Sequence, residues 1–261
     1  AGVELLALSD HDTVDGVEEA LTAASSHGIR LLAATEISAV DERYEDLHVL
    51  GYGIDHRDAT LLERLHGARE DRERRAERMA GLLAAEGYAV DDAPLAARRA
   101  AGKPVGRPHL AAAVLEHPAN AARLAADGVQ DVSSFIRAHL IPGAPSYSGR
   151  TRPTVGEAIG WIHDAGGLAF WAHPFWDIES EDDVLAAIDR YRQAGLDGVE
   201  CFYVTHDARQ TQVLADRCVE LDLLRSASSD YHGPHHRLFG RFLAYELHDR
   251  LPDLGLLLAR A

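Results

Sequence analysis

Cysteine is scarce in this chain: only Cys201 and Cys218 occur among 261 residues. They follow no repeated spacing, so we interpret them as buried small side chains in a reducing compartment, not as a disulfide framework. No run of roughly 18 or more apolar residues occurs, which excludes a membrane-spanning helix, and no leader of the secretory type is visible. These absences predict a cytoplasmic protein that does not interact with membranes.

Basic residues are also few, with 26 Lys and Arg against 42 Asp and Glu and a formal net charge of −16. This balance argues against a function in binding long duplex nucleic acid, because such binding needs a basic face. A small phosphate-bearing substrate stays open, since two or three divalent ions bring roughly four to six positive charges into one pocket. The length suits one barrel domain, or one core with an appended lobe.

Short apolar runs alternate with helical patterns at both ends of the chain. Strands are predicted over 3–8, 29–35, 46–54, 167–172, 197–203, 223–228 and 238–245, and helices over 15–27, 153–165, 181–194, 206–221 and 249–260. This alternation predicts right-handed parallel βαβ units. The middle of the chain is helical without a convincing strand, and residues 63–88 read as one long helix. We therefore predict a barrel domain over 1–57 and 141–261, interrupted by a helical insertion over 58–140.

Acids and histidines recur where the predicted strands end. These residues are His11 between Asp10 and Asp12, Glu36, His48 within the third strand, His173 before Pro174, and the pair Asp230 and His232. In barrel enzymes, the catalytic groups come from the ends of several different strands. Neutral imidazoles and carboxylates together are the ligands of zinc, iron or manganese. The pattern predicts a polynuclear metal site at one mouth of an α/β barrel.

Each of these residues alone has an ordinary structural explanation. His48 would be a core histidine, Glu36 would pair with an arginine, and Arg107 would be a surface residue near the start of a helix. Their occurrence at the same end of successive strands favours a shared site.

The order and spacing of these motifs resemble the PHP (polymerase and histidinol phosphatase) family. The matching segments are SDHD at 9–12, Glu36 following His11, HVLGY at 48–52, AHP at 172–174 and SDYHG at 229–233. The similarity is closest to its small-molecule branch, the TrpH-like metal-dependent phosphoesterases, because GRPHLA at 106–111 resembles the GRPH motif of that branch. The resemblance covers nearly the whole chain.

The resemblance implies a distorted (β/α)7 TIM-like barrel that binds two or three divalent ions (Mn, Fe or Zn). The implied metal ligands are His11, Glu36 as a bridging carboxylate, His48, His173, Asp230 and His232. The implied catalytic residues are Asp230, His232, Arg107 and His109, and the last two reach the substrate phosphate from an insertion that acts as a lid. Independently, a guanidinium offers a rigid forked donor set for phosphate. His206 is a further candidate for substrate binding or for proton donation to the leaving group.

The chain departs from the family at its start. The family opens with an HxH strand and a following SDG motif, and neither is present here. We therefore expect the first strand–helix unit to precede Ala1, three ligands to be missing, and the barrel to be open at one side. Gly2 resembles a residue that ends a helix just before a strand, which favours truncation over natural loss.

The predicted function is a metal-dependent phosphohydrolase that releases phosphate from nucleoside monophosphates or 3′,5′-bisphosphonucleotides, through a water of lowered pKa. One alternative is a phosphodiesterase acting on cyclic phosphates, or a 5′→3′ exoribonuclease acting on short RNA. Another is a degenerate, non-catalytic metal-binding domain. A deaminase or amidohydrolase is disfavoured by the phosphate motif in the insertion. The expected partner is a small phosphorylated substrate, a nucleotide or a short oligoribonucleotide, while metal identity and oligomeric state stay open.

Overall fold

Six strands form one sheet in the computed structural model, which describes residues 2–102, 105–149 and 153–259. The strands are β1 (Leu5–Leu8), β2 (Arg30–Ala39), β3 (Leu47–Tyr52), β4 (Leu168–Trp171), β5 (Gly198–Tyr203) and β6 (Leu224–Ser228). They lie side by side in chain order, with β1–β2, β4–β5 and β5–β6 parallel and β2–β3 and β3–β4 antiparallel. The protein is therefore a mixed α/β fold.

The antiparallel pairing of β3 corrects the prediction of uniformly parallel units. Only residues 40–46 join β2 to β3, and so short a link leaves no room for the crossover that parallel strands need. The strand that was predicted to end at Glu36 also continues to Ala39. Glu36 thus lies inside β2, where it faces β3.

Ten α-helices occur in the described residues. They are α1 (Val17–Ser26), α2 (Ala59–Ala85), α3 (Asp92–Ala100), α4 (Arg107–Leu115), α5 (Ala121–Ala126), α6 (Val132–His139), α7 (Val155–Asp164), α8 (Pro174–Asp177), α9 (Glu181–Gln193) and α10 (Ala208–Leu221). The predicted helices over 15–27, 63–88, 153–165, 181–194 and 206–221 correspond to α1, α2, α7, α9 and α10. None of the described helices has both the length and the apolar character that a membrane span needs.

The main core lies between the sheet and helices α7, α9 and α10. All six residues of β5 are buried, as expected of a parallel strand covered on both faces. Ile37, Val49 and Trp171 fill the centre, each at most 1% exposed. Helix α7 begins at a cap in which Thr154 Oγ1 accepts a hydrogen bond from the Glu157 N–H at 3.2 Å.

The chain divides into two compact units, one of residues 1–66 and 152–261 and the other of residues 67–151. The division falls inside α2, and the second unit contains α3 to α6. This unit has a core of its own, in which Leu83, Leu110, Phe135 and Leu140 are fully buried. The role of the insertion as a substrate lid stays a prediction.

The segment after β6 contradicts two predictions. Residues 238–245 form turns instead of a strand, because Leu243 takes a φ of +55° and Phe239 packs against other rings. The predicted helix over 249–260 is reduced to a 3-10 turn at Gly255–Ala259, and Arg260 lies outside the described residues. Pro252 and the positive φ angles of His248 and Asp249 interrupt a regular helix.

Candidate metal centre

The two edge strands of the sheet, β1 and β6, line one cavity of about 550 Å³. The sheet is therefore curled, although β1 and β6 do not pair. Four carboxylates face this cavity, those of Asp10, Glu36, Glu200 and Asp230. Within the described parts of the chain, no Lys or Arg is among the lining residues. A cavity of this composition favours cations.

Glu36 occupies the centre of a cluster of imidazoles. Its Oε1 lies 3.0 Å from His48 Nδ1 and 3.3 Å from His173 Nε2, while Oε2 lies 3.8 Å from His11 Nδ1. The register explains the first contact, since Ser38 pairs with His48 and Glu36 is two residues along on the same face. His48 Nδ1 and His173 Nε2 are themselves 3.2 Å apart. Three imidazoles thus converge on one carboxylate, two of them at Oε1 and one at Oε2.

His11 reaches the cluster because the chain after β1 stays attached to β2. The Asp12 N–H donates to the Glu36 carbonyl at 2.9 Å, and the Glu36 N–H donates to the Asp10 carbonyl at 3.1 Å. The buried Asp12 carboxylate accepts hydrogen bonds from the Ser38 N–H at 2.8 Å and from its hydroxyl at 3.1 Å. Asp12 therefore anchors the turn that carries His11.

His173 lies at the turn between β4 and α8 with a φ of +29°, which is rare for a residue with a side chain. Glu200 Oε2 accepts a hydrogen bond from its backbone N–H at 2.9 Å and so stabilises this turn. Glu200 is 2% exposed, and burial raises its pKa to about 7. Sequence reasoning missed this role, although an acid inside the apolar strand GVECFY was a signal.

The electrostatics of the cluster fit a bound cation. Burial lowers the pKa of His173, but the hydrogen bond and the negative charge of Glu36 outweigh it and raise the pKa to about 9. Burial likewise opposes ionisation of Glu36, yet the charges of His11 and His48 and the hydrogen bonds from His173 and His48 hold its pKa well below the usual range. A proton on His173 thus supplies positive charge of the kind that a divalent ion would provide.

Asp230 and His232 line the same cavity from the segment after β6. The Tyr203 hydroxyl donates to Asp230 Oδ2 at 2.8 Å, which fixes one carboxylate oxygen. His232 Nδ1 lies 2.6 Å from the Asp230 carbonyl oxygen and 3.4 Å from Asp230 Oδ1. Tyr203 was not among the predicted site residues.

Two groups of side chains have the spacing needed to hold an ion. His11, Glu36 and His48 form the first; His48, His173 and Asp177 form the second, with donor atoms within 4.8 Å of one another in each. Asp177 is exposed at the end of α8 and was not predicted from the sequence. The structure therefore brings four of the six predicted ligands into one cluster and the other two into the same cavity. Metal binding by these six residues stays a prediction.

Arg107 and His109 lie at the start of α4, in the second unit. His109 Nδ1 accepts a hydrogen bond from the Gly106 N–H at 3.0 Å, and burial lowers the pKa of its ring. Their role in substrate binding stays a prediction.

His206 is buried and is not among the described residues that line the cavity, and its Nδ1 lies 3.1 Å from the Cys201 carbonyl oxygen. Burial lowers its pKa to about 4, so the ring is neutral at pH 7. Its part in substrate binding also stays a prediction.

No protein-family model matches the chain. Three curated proteins resemble it over most of their length. The chain is 32% identical to a 3′,5′-nucleoside bisphosphate phosphatase of Chromobacterium violaceum, over 88% of this chain and 77% of that protein. It is 31% identical to a 5′-3′ exoribonuclease of Haemophilus influenzae, over 89% and 81% respectively. It is 29% identical to a phosphoribosyl 1,2-cyclic phosphate 1,2-diphosphodiesterase of Eggerthella lenta, over 92% and 86%.

Two solved structures share the fold. An amidohydrolase from Chromobacterium violaceum, with bound sulfate and no metal, superposes with a TM-score of 0.79 at 30% identity, covering 98% of this chain and 86% of that one. A proposed metal-dependent phosphoesterase from Bifidobacterium adolescentis superposes with a TM-score of 0.72 at 28% identity, covering 99% and 86%. All five similarities extend over both units of the chain.

Proposed function

Because the chain belongs to the phosphoesterase family that includes the 3′,5′-nucleoside bisphosphate phosphatase of Chromobacterium violaceum, and is thus a hydrolase acting on phosphate esters, we propose that it releases phosphate from nucleoside monophosphates or 3′,5′-bisphosphonucleotides. The observation that carries this proposal is Glu36, whose two oxygens lie among three imidazoles in an acidic cavity. We also propose that the chain belongs to the small-molecule branch of the PHP family and shares its distorted (β/α)7 barrel.

Two or three divalent ions, of manganese, iron or zinc, are the proposed cofactors. Glu36, His11, His48, His173, Asp230 and His232 would hold them, and Glu36 is proposed as the carboxylate shared between ions. Such ions supply a bound water of near-neutral pKa and positive charge for the phosphoryl oxygens.

The protein side chains supply orientation and phosphate recognition. Glu200 holds the turn of His173, and Tyr203 holds one oxygen of Asp230. Arg107 and His109 are proposed to bind the substrate phosphate, where the forked guanidinium of Arg107 matches two phosphoryl oxygens. His206, neutral and buried, is proposed to bind the substrate through Nε2, which has no hydrogen-bond partner within the described part of the chain.

A phosphodiesterase activity is the second candidate. Relatives that are an exoribonuclease and a cyclic-phosphate diesterase support it. Hydrolysis of a monoester or of a diester would need the same kind of activated water, so the leaving group and the space around it decide between the two activities.

A side-by-side assay of four substrates tests the proposal. The substrates are AMP, 3′,5′-bisphosphoadenosine, a short 5′-phosphorylated RNA and a cyclic phosphate, each with Mn²⁺ and with release of phosphate or nucleotide measured. We expect the bisphosphate or the monophosphate to be preferred. Glu36→Ala should lower the rate at least about 100-fold, whereas the exposed Glu42→Ala should not change it. Preference for RNA favours the second candidate, and full activity of Glu36→Ala contradicts both.

A further inference from the structure

Trp176 is unusually exposed for a tryptophan, with 51% of its surface accessible. It lies on α8, only three residues after His173. A single exposed apolar side chain is common at protein surfaces, so the significance of Trp176 depends on its position. Its neighbour His173 lines a cavity that also contains acids, other imidazoles and apolar side chains, and Trp176 itself is not among the described residues that line it. An indole in this position is available to a substrate that extends beyond the cavity.

The indole contacts the metal centre through three neighbouring rings. Its centroid is 6.4 Å from the ring of His173 and 6.3 Å from that of Tyr203, whose hydroxyl binds Asp230. It is 5.8 Å from the ring of Phe239, which in turn lies 5.5 Å from the ring of His232. Trp176 is thus held in place next to side chains that include or contact three of the proposed metal ligands.

The ring contacts use only part of the indole. Tyr203 and His173 meet it edge to face, at interplanar angles of 81° and 68°, and half of its surface stays accessible. A fixed aromatic ring with an accessible surface is the usual platform on which nucleic acid bases stack, and every base offers it a π-face. The described lining of the nearby cavity includes four carboxylates, which repel the phosphate group of a ligand, together with apolar and aromatic side chains.

We propose that Trp176 stacks against the nucleobase of the substrate and thereby selects nucleotides over phosphate esters that lack a base. The inference rests on the proposed function, and it names the part of the substrate that this side of the site recognises. Stacking of this kind does not depend on base identity, so adenine, guanine and pyrimidine nucleotides should all benefit. A sugar phosphate presents no planar ring and gains nothing from the indole.

The test compares AMP with ribose 5-phosphate in the metal-loaded full chain. We expect Trp176→Ala to lower the ratio of kcat/KM for AMP to that for ribose 5-phosphate roughly tenfold, chiefly through KM, with Trp176→Phe between it and wild type. Leu251→Ala, which removes another exposed apolar side chain, is the matched control and should leave the ratio unchanged. An equal loss on both substrates, or no loss, overturns the proposal.

Binding measured without turnover separates this inference from the proposed function. AMP should quench the tryptophan fluorescence of the wild-type protein and bind Trp176→Ala roughly tenfold more weakly, as measured by calorimetry. Weaker binding without any hydrolysis by the wild type supports stacking and contradicts the phosphatase proposal. Equal affinity of the two proteins for AMP overturns stacking, whatever the activity.

Discussion

The carboxylate of Glu200 accepts a hydrogen bond from the backbone N–H of His173 at 2.9 Å. The bond joins the interior of β5 to a residue with a φ of +29°, a conformation that costs free energy and needs support from its surroundings. The hydrogen bond that the Glu200 side chain makes is to the backbone of His173. Through this bond, Glu200 determines where the imidazole of His173 points. The geometry of the proposed metal centre therefore depends on a neighbouring strand.

Replacement of Glu200 tests this dependence. Glu200→Ala leaves the His173 N–H without its acceptor, so we expect a loss of roughly 10- to 100-fold in Mn²⁺ affinity and activity. Glu200→Gln keeps an acceptor oxygen and should stay close to wild type. Competition with a metal indicator measures the affinity, and circular dichroism checks that the variants fold. Identical affinities of the alanine and glutamine variants would show that the bond to His173 has no influence on metal binding.

Tyr203 offers a comparable test with a matched control. Tyr203→Phe removes the hydrogen bond to Asp230, and we expect roughly tenfold weaker metal binding or turnover because the carboxylate becomes free to rotate. Tyr191→Phe removes a similar bond, that of Tyr191 to Asp41 at 2.7 Å. Each variant loses one tyrosine–aspartate hydrogen bond. A larger loss of kcat or metal affinity in Tyr203→Phe would therefore show that the bond to Asp230 positions that carboxylate. Equal effects would contradict a positioning role for Tyr203.

Asp177 is the basis of a third prediction. Its carboxylate lies within 4.8 Å of the donor atoms of His48 and His173, and an added negative ligand strengthens the hold on a divalent ion. We expect Asp177→Asn to weaken binding of one ion per chain roughly tenfold, measured by calorimetry with Mn²⁺. Asp182→Asn, at an exposed acid of α9, is the control. An unchanged binding isotherm would exclude Asp177 from the coordination of that ion.

The buried imidazole of His206 should make the free energy of unfolding depend on pH. Burial lowers its pKa to about 4, against about 6.5 for an unfolded chain. The unfolded chain then binds more protons in this interval, so stability falls as the pH drops from about 6.5 to about 4. The full difference corresponds to roughly 3 kcal/mol from this residue. His206→Asn retains a donor for the Cys201 carbonyl and cannot gain the proton, so it should lose less stability on acidification.

Urea denaturation of the metal-free protein at several pH values measures this effect. The difference between His206→Asn and wild type isolates His206 from the other histidines that titrate in the same range. His235→Asn, at an exposed position, is the control. Parallel stability curves for the wild type and His206→Asn would contradict the assignment of a neutral, buried His206.

Much of the site could be predicted because strand ends meet at one edge of a sheet. That argument applies well to His11 and His173, which follow β1 and β4. Glu36 and His48 reach the site for another reason, since they are diagonal neighbours on one face of the antiparallel pair β2–β3. The sequence showed both residues, but the short link between their strands was not recognised as evidence for antiparallel pairing.

Other features depend on tertiary contacts that leave weak signals in a sequence. Glu200 is embedded in an apolar strand, whereas its hydrogen bond is made to the turn that follows a different strand, β4. The segment over 238–245 has the composition of a strand, but Phe239 is drawn into the ring cluster with Trp176 and Tyr203. Packing decided the conformation there, overriding the local preference.

The scarcity of fixed positive charge around the cavity affects how a substrate arrives. The chain carries a net charge of −16, and the described cavity lining adds carboxylates but no Lys or Arg. A phosphate dianion is therefore repelled by the chain at long range, and the proposed ions and Arg107 would attract it only at short range. Added salt shortens the reach of that repulsion to about 10 Å at 0.1 M. Encounter should consequently become faster as ionic strength rises, the reverse of the behaviour of enzymes that steer anions with basic surfaces.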